Sequence, residues 1–177
     1  MNVGVHARLG GNQTLSELCF PGVGPRDTGQ VAVDVTSEIV IHAAPGRVAA
    51  YAADPDNAPR WYANIESVRW QTPPPASVGS RLDFVAHFMG RRLAYTYEIV
   101  ELLPGQRLVM RTAQGPFPME TTYTWRPHDI GTLMTLRNRG NPSGFARIAT
   151  PVLAAAMRRA NAKDLAELRR IIETPAP

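Results

Sequence analysis

The stretch RLDFVAHFMGRRLAYTYEIVEL, residues 81–102, decides the fold of this chain. Apolar side chains occupy every second position on both sides of a turn at Gly90 and Arg91, and a period of two is that of a β-strand with one buried face. The pattern predicts two antiparallel strands joined by a hairpin. Their inward face carries Leu82, Phe84, Ala86, Phe88, Leu93, Tyr95, Tyr97 and Ile99.

The same alternation continues in both directions along the chain. Proline-glycine and glycine-proline turns at 104–105 and 115–116 separate further apolar runs downstream. Upstream, a run rich in valine and isoleucine and a shorter run that stops before three prolines read as two more strands. The predicted strands cover 33–41, 65–71, 81–88, 93–102, 108–112, 117–125 and 132–139.

Helices are predicted at three places. Pro45 opens one short helix, and Asp54 with Pro55 opens another, because proline suits the first helical position and aspartate caps the end. A long helix is predicted from Pro151 to Glu173, spanning about 35 Å, after a separate helical turn at 145–149. Its inward stripe carries Met157, Asn161, Leu165, Leu168 and Ile172.

This order of elements predicts a container. A curved antiparallel sheet of seven strands has to wrap around the long C-terminal helix so that both apolar faces are buried. The two short helices follow the first strand. The predicted fold class is α+β, and we expect function to lie in the space enclosed between sheet and helix.

Several short motifs add a family resemblance. They are Gly-Ser-Arg at 79–81, Leu-Pro-Gly-Gln-Arg-Leu at 103–108 and Gly-Thr-Leu-Met-Thr-Leu at 131–136, with Pro45, Val48, Asp54, Trp61, Asp164, Leu165, Leu168 and Glu173. In these residues the chain resembles the polyketide cyclase/dehydrase and lipid-transport superfamily (SRPBCC, START-like or Bet v 1-like) over 33–173. The resemblance implies a helix-grip fold that binds apolar or aromatic molecules. Some members cyclise or dehydrate polyketides and others carry lipids or quinones, so the resemblance leaves activity open.

Length and composition bound the organisation of the chain. Its 177 residues suffice for one domain with a sizeable core, which we place at residues 31–177 as a single START-like, helix-grip domain. Residues 1–30 are glycine-rich and aperiodic, and we expect a flexible N-terminal extension without a signal peptide. The single cysteine, Cys19, has no partner for an intrachain disulfide, which favours a cytoplasmic protein.

Charge and hydropathy argue against two classes of partner. The formal net charge is +4, but the arginines are scattered and not interleaved with aromatics, so we expect no nucleic-acid binding. No apolar run approaches the roughly 20 residues of a membrane span, so we expect no stable membrane insertion. A monomer or a homodimer is compatible with the sequence.

The inward face supplies an apolar and aromatic wall that is typical of a small-molecule site. Flexible methionines adapt to different ligands, tyrosine hydroxyls donate hydrogen bonds, and the Asn161 amide needs partners on an apolar stripe. The alternative for each residue is that it fills a core. The candidate ligand-binding residues are Trp61, Phe84, Phe88, Tyr95, Tyr97, Met110, Met119, Tyr123, Met134, Met157 and Asn161.

Residues for acid-base, metal or nucleotide chemistry are sparse. His42 and His87 fall on the outward parity of their strands, and His128 lies in a turn. The spacing of histidines and cysteine matches no zinc site, and no phosphate loop, dinucleotide fingerprint or nucleophile elbow is present. We therefore expect no metal and no cofactor, and we assign no catalytic residue.

Three functions follow as hypotheses. The first is binding of a small hydrophobic or aromatic ligand, such as a lipid, a polyketide or a quinone-like molecule, in the internal cavity. The second is a polyketide cyclase or dehydratase, a lyase-type enzyme that uses the same cavity. The third is a protein-interaction module with a filled core. An ionisable group inside the cavity distinguishes the enzyme from the carrier, because proton transfer requires one.

Overall fold

The computed structural model describes residues 33–141 and 150–174. The expected extension at 1–30 and the helical turn at 145–149 lie outside the described residues. The elements in chain order are β1 (Val33–Ile41), α1 (Pro45–Ala52), a 3₁₀ turn (Pro55–Asn57), α2 (Ala58–Trp61), β2 (Ile65–Trp70), β3 (Arg81–Phe88), β4 (Arg91–Leu103), β5 (Arg107–Gln114), β6 (Met119–His128), β7 (Gly131–Gly140) and α3 (Thr150–Glu173).

The seven strands form one antiparallel sheet in the order β1-β7-β6-β5-β4-β3-β2. Strands β2 to β7 follow one another as a meander, and β1 pairs with β7 along its whole length, from Val33 opposite Gly140 to Ile41 opposite Thr132. The register of β4 against β5 shifts at 96–97 and again at 99–101. Such irregularities bend a strand and increase its twist, which helps the sheet curl into a half-barrel.

The long helix α3 lies on the concave face of the sheet and packs against β1. Its buried face consists of Leu153, Leu165, Leu168 and Ile172, with the polar residues Asn161 and Asp164 on the same face. These contacts confirm the predicted helix-grip arrangement and the α+β fold class, because the sheet curves around one C-terminal helix.

The short helices close one end of the half-barrel. The Asp54 carboxylate accepts a hydrogen bond from the Asp56 backbone nitrogen at 3.0 Å, as the predicted cap requires. Arg47 donates to the Ile172 carbonyl oxygen at 2.8 Å, which ties α1 to the end of α3. The fully buried Trp61 ends α2 and fills this closed end.

Two hydrophobic clusters account for the core. The larger one gathers around the closed end and includes Trp61, Ile41, Val48, Met134 and Leu168. The smaller one joins the other end of β1 to the start of α3 and consists of Val33, Val35, Leu93, Phe117 and Leu153. The space between sheet and helix that neither cluster fills is the candidate site.

Candidate functional site

A cavity of about 150 Å³ lies between the concave face of the sheet and α3. Its wall takes residues from both hydrophobic clusters, from the chain that follows α2, and from one face of α3. The apolar and aromatic part consists of Ile65, Phe84, Ala86, Phe88, Leu93, Tyr95, Tyr97, Met110, Phe117, Tyr123, Leu153, Met157 and Ala160. A mainly apolar space between sheet and helix is therefore present, and it is partly open to solvent.

The structure brings together eight of the eleven candidate ligand-binding residues in this wall. They come from β3, β4, β5, β6 and α3, because alternate residues of neighbouring strands share the concave face. The eight are Phe84, Phe88, Tyr95, Tyr97, Met110, Tyr123, Met157 and Asn161.

The other three candidates lie outside the described wall of the cavity. Trp61 and Met134 are fully buried in the larger cluster at the closed end, and Trp61 stacks on Tyr62 with ring centroids 3.9 Å apart. Met119 lies in β6 opposite Gly140. Its sulfur is 2.6 Å from the position that a Cβ added to Gly140 would occupy. Trp61 and Met134 pack in the core, as the alternative interpretation states, and Met119 is partly buried against the smaller cluster.

Five polar wall residues were not among the candidates: Tyr62, Asn64, Thr121, Asn138 and Asp164. Thr121 shares the inward parity of Tyr123, and Asn138 that of Leu136, so alternation alone could have indicated them. Asp164 lies one helical turn after Asn161. Tyr62 and Asn64 follow α2 in irregular backbone, where no periodic signal exists.

A chain of polar side chains crosses the wall from β6 to α3. Thr121 Oγ1 donates to Asn138 Oδ1 at 2.8 Å, and Asn138 Nδ2 donates to Asn161 Oδ1 at 3.2 Å. Asn161 is 5% exposed. Its Nδ2 atom is buried and has no hydrogen-bond partner among the described residues.

The tyrosines of the wall are neutral phenols. The hydroxyls of Tyr62 and Tyr123 are 2.6 Å apart, and burial raises the pKa of both above the ordinary value of tyrosine. Burial likewise raises the pKa of Tyr95 and of Tyr97, although the hydroxyls of Thr121 and Thr112 partly offset the rise at Tyr97. The phenols therefore keep their protons at neutral pH and are available as hydrogen-bond donors.

Asp164 is the carboxyl group of the cavity wall. It is 2% exposed, and its Oδ1 atom accepts a hydrogen bond from the Ala63 backbone nitrogen at 2.9 Å. Burial raises the pKa of Asp164 to about 6, against the opposing effect of this hydrogen bond. A carboxyl group that titrates this close to neutral pH is suited to both accepting and donating a proton.

The three histidines of the described residues are not part of the cavity wall, as strand parity predicts for His42 and His87; His128, predicted in a turn, is the last residue of β6. His87 Nε2 is 2.9 Å from Glu66 Oε2 on the outer face, and the His42 side chain is exposed. Over residues 33–141 and 150–174, no three histidine, cysteine, aspartate or glutamate side chains form a group that could hold a metal ion. In the same residues no helix has the length and apolar character of a membrane span.

The family profile described as polyketide cyclase / dehydrase and lipid transport matches residues 32–173. The chain belongs to this family. The match covers nearly the same residues as the resemblance drawn from the motifs, which is confirmed. No curated protein sequence matches the chain.

Solved structures of this family's fold resemble the chain at low sequence identity. TTHA0849 from Thermus thermophilus is 22% identical with a TM-score of 0.66, covering 79% of this chain and 97% of that one. A START superfamily protein from Mycobacterium smegmatis is 13% identical with a TM-score of 0.67, covering 79% and 97%. The Zhui aromatase/cyclase from Streptomyces sp. R1128 is 16% identical with a TM-score of 0.66, covering 80% and 93%. At these identities the likeness establishes the helix-grip fold.

The buried carboxyl group of Asp164 makes the stability of this polyketide cyclase / dehydrase and lipid transport family protein depend on pH. Folded protein keeps the Asp164 proton up to about pH 6, whereas the unfolded chain loses it near the ordinary pKa of 3.8. Unfolding between these values releases a proton. Stability therefore falls as pH rises through this window, by roughly 3 kcal/mol in total.

We expect Asp164→Asn to remove this pH dependence while it keeps an oxygen for the Ala63 N–H. The free energy of unfolding of the variant relative to wild type should grow between pH 4 and pH 7 by roughly 2.4 kcal/mol, measured by urea unfolding. Glu167→Gln on the same helix is the control, because the guanidinium of Arg170 lowers the pKa of that carboxyl. A pH-independent difference between Asp164→Asn and wild type would contradict the prediction.

Proposed function

We propose that this protein binds a small aromatic or otherwise apolar molecule in the cavity between the sheet and α3. The observation that carries the proposal is the cavity itself, about 150 Å³ of space lined mainly by apolar and aromatic side chains. Natural cores are packed to the density of organic crystals. A space of this size between the two hydrophobic clusters of the described residues therefore favours an occupant.

The volume narrows the class of ligand. An apolar cavity of about 150 Å³ accommodates one aromatic ring of the size of benzene. Longer lipids, polyketides or quinones exceed this volume, so part of such a ligand would extend through the open part of the cavity or displace wall residues. Met110 and Met157 are the most adaptable wall residues, because the thioether chain has many rotamers. A ligand with a single ring is thus the occupant that fits within this volume.

Burial alone gives a modest affinity for such a ligand. An aromatic group that buries about 150–200 Å² at about 25 cal/mol per Å² gains roughly 4–5 kcal/mol. That corresponds to a dissociation constant of roughly 0.2–1 mM, before hydrogen bonds are counted. The polar atoms of the wall would supply the remaining affinity and the orientation.

Ala160→Leu tests the proposal by filling the cavity from α3, where Ala160 belongs to the wall. We expect ethylbenzene binding, measured by isothermal titration calorimetry, to weaken by at least about tenfold, because the added methyl groups occupy the ligand's space. Ala162→Leu places the same side chain on the exposed face of the helix and should bind as wild type does.

Native mass spectrometry of freshly purified protein extends this test to the natural ligand, because it detects a small molecule that co-purifies with the protein. A bound small molecule should be present in wild type and in Ala162→Leu, and lost in Ala160→Leu. Equal ethylbenzene affinity in the three proteins would contradict a binding site at this cavity.

A second candidate is a cyclase or dehydratase, favoured by Asp164. Its carboxylate would remove a proton from the carbon beside a ketone, and a tyrosine hydroxyl of the wall would hydrogen-bond the oxygen that becomes negative. Confinement would then hold two parts of a flexible chain together for ring closure. The aromatase/cyclase among the solved structures of this fold is compatible with such chemistry.

Proton removal can be measured without the natural substrate. In heavy water, the protein should accelerate deuterium incorporation into the methyl group of acetophenone, followed by NMR, and the rate should rise with pH through about 6 as Asp164 loses its proton. Asp164→Asn should abolish the acceleration. Glu167→Gln should leave it unchanged, and equal rates with and without protein would exclude this candidate.

The proposal extends to organisation and location. We place the protein in the cytoplasm as a monomer or homodimer, with residues 31–177 as the folded domain and no requirement for nucleic acid, metal or cofactor. The single cysteine and the scattered arginines support this. The third hypothesis, a protein-interaction module, requires a filled core. The cavity between sheet and helix favours ligand binding instead.

A further inference from the structure

We propose that the ligand carries a hydrogen-bond acceptor, such as a ketone oxygen, that Asn161 recognises this oxygen with its side-chain N–H, and that Asn138 and Thr121 hold the amide in that orientation. The inference rests on the proposed binding function and names the chemical class of its ligand: a small aromatic ketone rather than a hydrocarbon. It assigns Asn161 to ligand recognition and the other two residues to positioning.

The first step is the unpartnered donor. Asn161 lies on the buried face of α3 and belongs to the cavity wall. Its Oδ1 atom is engaged by Asn138, but its Nδ2 atom has no partner among the described residues. A buried amide N–H without a partner is unfavourable. The Nδ2 atom has almost no accessible surface, so a ligand oxygen reaches it once the wall atoms that cover it move aside. An acceptor oxygen placed there relieves the cost, and a hydrocarbon of the same shape leaves it in place.

The second step is the direction of the hydrogen bonds. A hydroxyl has one proton, and Thr121 donates it to Asn138 Oδ1. The amide of Asn138 then presents its Nδ2 atom to Asn161 Oδ1. Each amide has its oxygen on one side and its nitrogen on the other, so this order leaves a nitrogen of Asn161 for the ligand.

Three other polar side chains of the wall have hydrogen-bond partners. Tyr62 and Tyr123 share one hydrogen bond, and Asp164 accepts from the Ala63 N–H. Asn64 has an unpartnered side-chain oxygen among the described residues, which would attract a donor rather than an acceptor. The phenols of the wall also keep their protons, so substitution of Asn161 itself is needed to isolate the contribution of its amide.

The test compares two probes of nearly equal shape, acetophenone with a ketone oxygen and ethylbenzene without one. Calorimetric titration gives the ratio of their affinities in wild type, Asn161→Leu and Thr121→Val. Because the same two probes are used throughout, their different hydration cancels between variants. We expect the ratio, acetophenone over ethylbenzene, to fall roughly tenfold in Asn161→Leu.

Thr121→Val keeps the shape of the side chain and removes the proton that fixes the Asn138 amide. We expect the same ratio to fall about threefold, and 4-ethylphenol, a donor probe, to bind more tightly than in wild type. A structural role alone would change the three affinities together. The matched control is Thr122→Val on the same strand, because Thr122 is buried but lies outside the cavity wall, and its ratio should equal that of wild type.

The outcomes separate this inference from the proposed function. The inference is overturned if wild type binds ethylbenzene and the ratio of acetophenone over ethylbenzene affinity is the same in wild type, Asn161→Leu and Thr121→Val. The proposed binding function would then still stand. Asn161→Leu that weakens 4-ethylphenol relative to ethylbenzene, but leaves the ratio of acetophenone over ethylbenzene unchanged, also overturns the inference. Asn161 would then accept a hydrogen bond from the ligand. If Asn161→Leu does not fold, Thr121→Val decides. Wild type that binds none of the probes overturns the proposed function and this inference with it.

Discussion

One helix of 24 residues has to cover the concave face of a seven-stranded sheet, and the rest of the structure depends on this mismatch. A helix contacts a curved sheet along one stripe, so packing is complete only where other elements help. The short helices after β1 provide that help at one end, where Trp61 is buried. At the middle of the sheet the side chains meet α3 without filling the space, and a cavity remains.

Burial sets the chemistry of the polar groups in that cavity. The tyrosine phenols stay protonated and Asp164 titrates near neutral pH, because a charged form loses its hydration in such a place. The side-chain amide of Asn161 keeps one donor without a partner among the residues that the structure describes. A mainly apolar cavity with a few directional hydrogen-bonding groups is the arrangement that selects one small molecule among many of similar size.

Alternation in the sequence predicted the fold well because each strand has one buried face. The predicted bounds of β1 and β3 equal those of the structure, and those of α3 differ by one residue. Parity tells which face of the sheet a side chain occupies, but it does not tell how far along the half-barrel it lies. Met134 therefore shares the predicted face with the wall residues and packs instead in the closed end.

A different limit explains why Asp164, Tyr62 and Asn64, which lie outside the strands, could not be predicted as wall residues. Asp164 was assigned to the family motifs, and its place in the cavity follows only once the rotation of α3 is known. Tyr62 and Asn64 reach the wall through irregular backbone that the Asp164 carboxylate holds by the Ala63 N–H. That contact joins residues 101 positions apart, and no local pattern records such a pairing.

The most direct measurement is a crystal structure determined under xenon pressure, because xenon enters apolar cavities and scatters strongly. The account predicts one or more xenon atoms between the sheet and α3, in contact with Phe84, Met110 and Met157. A structure without xenon at this place, in which side chains close the space between the sheet and α3, would contradict it.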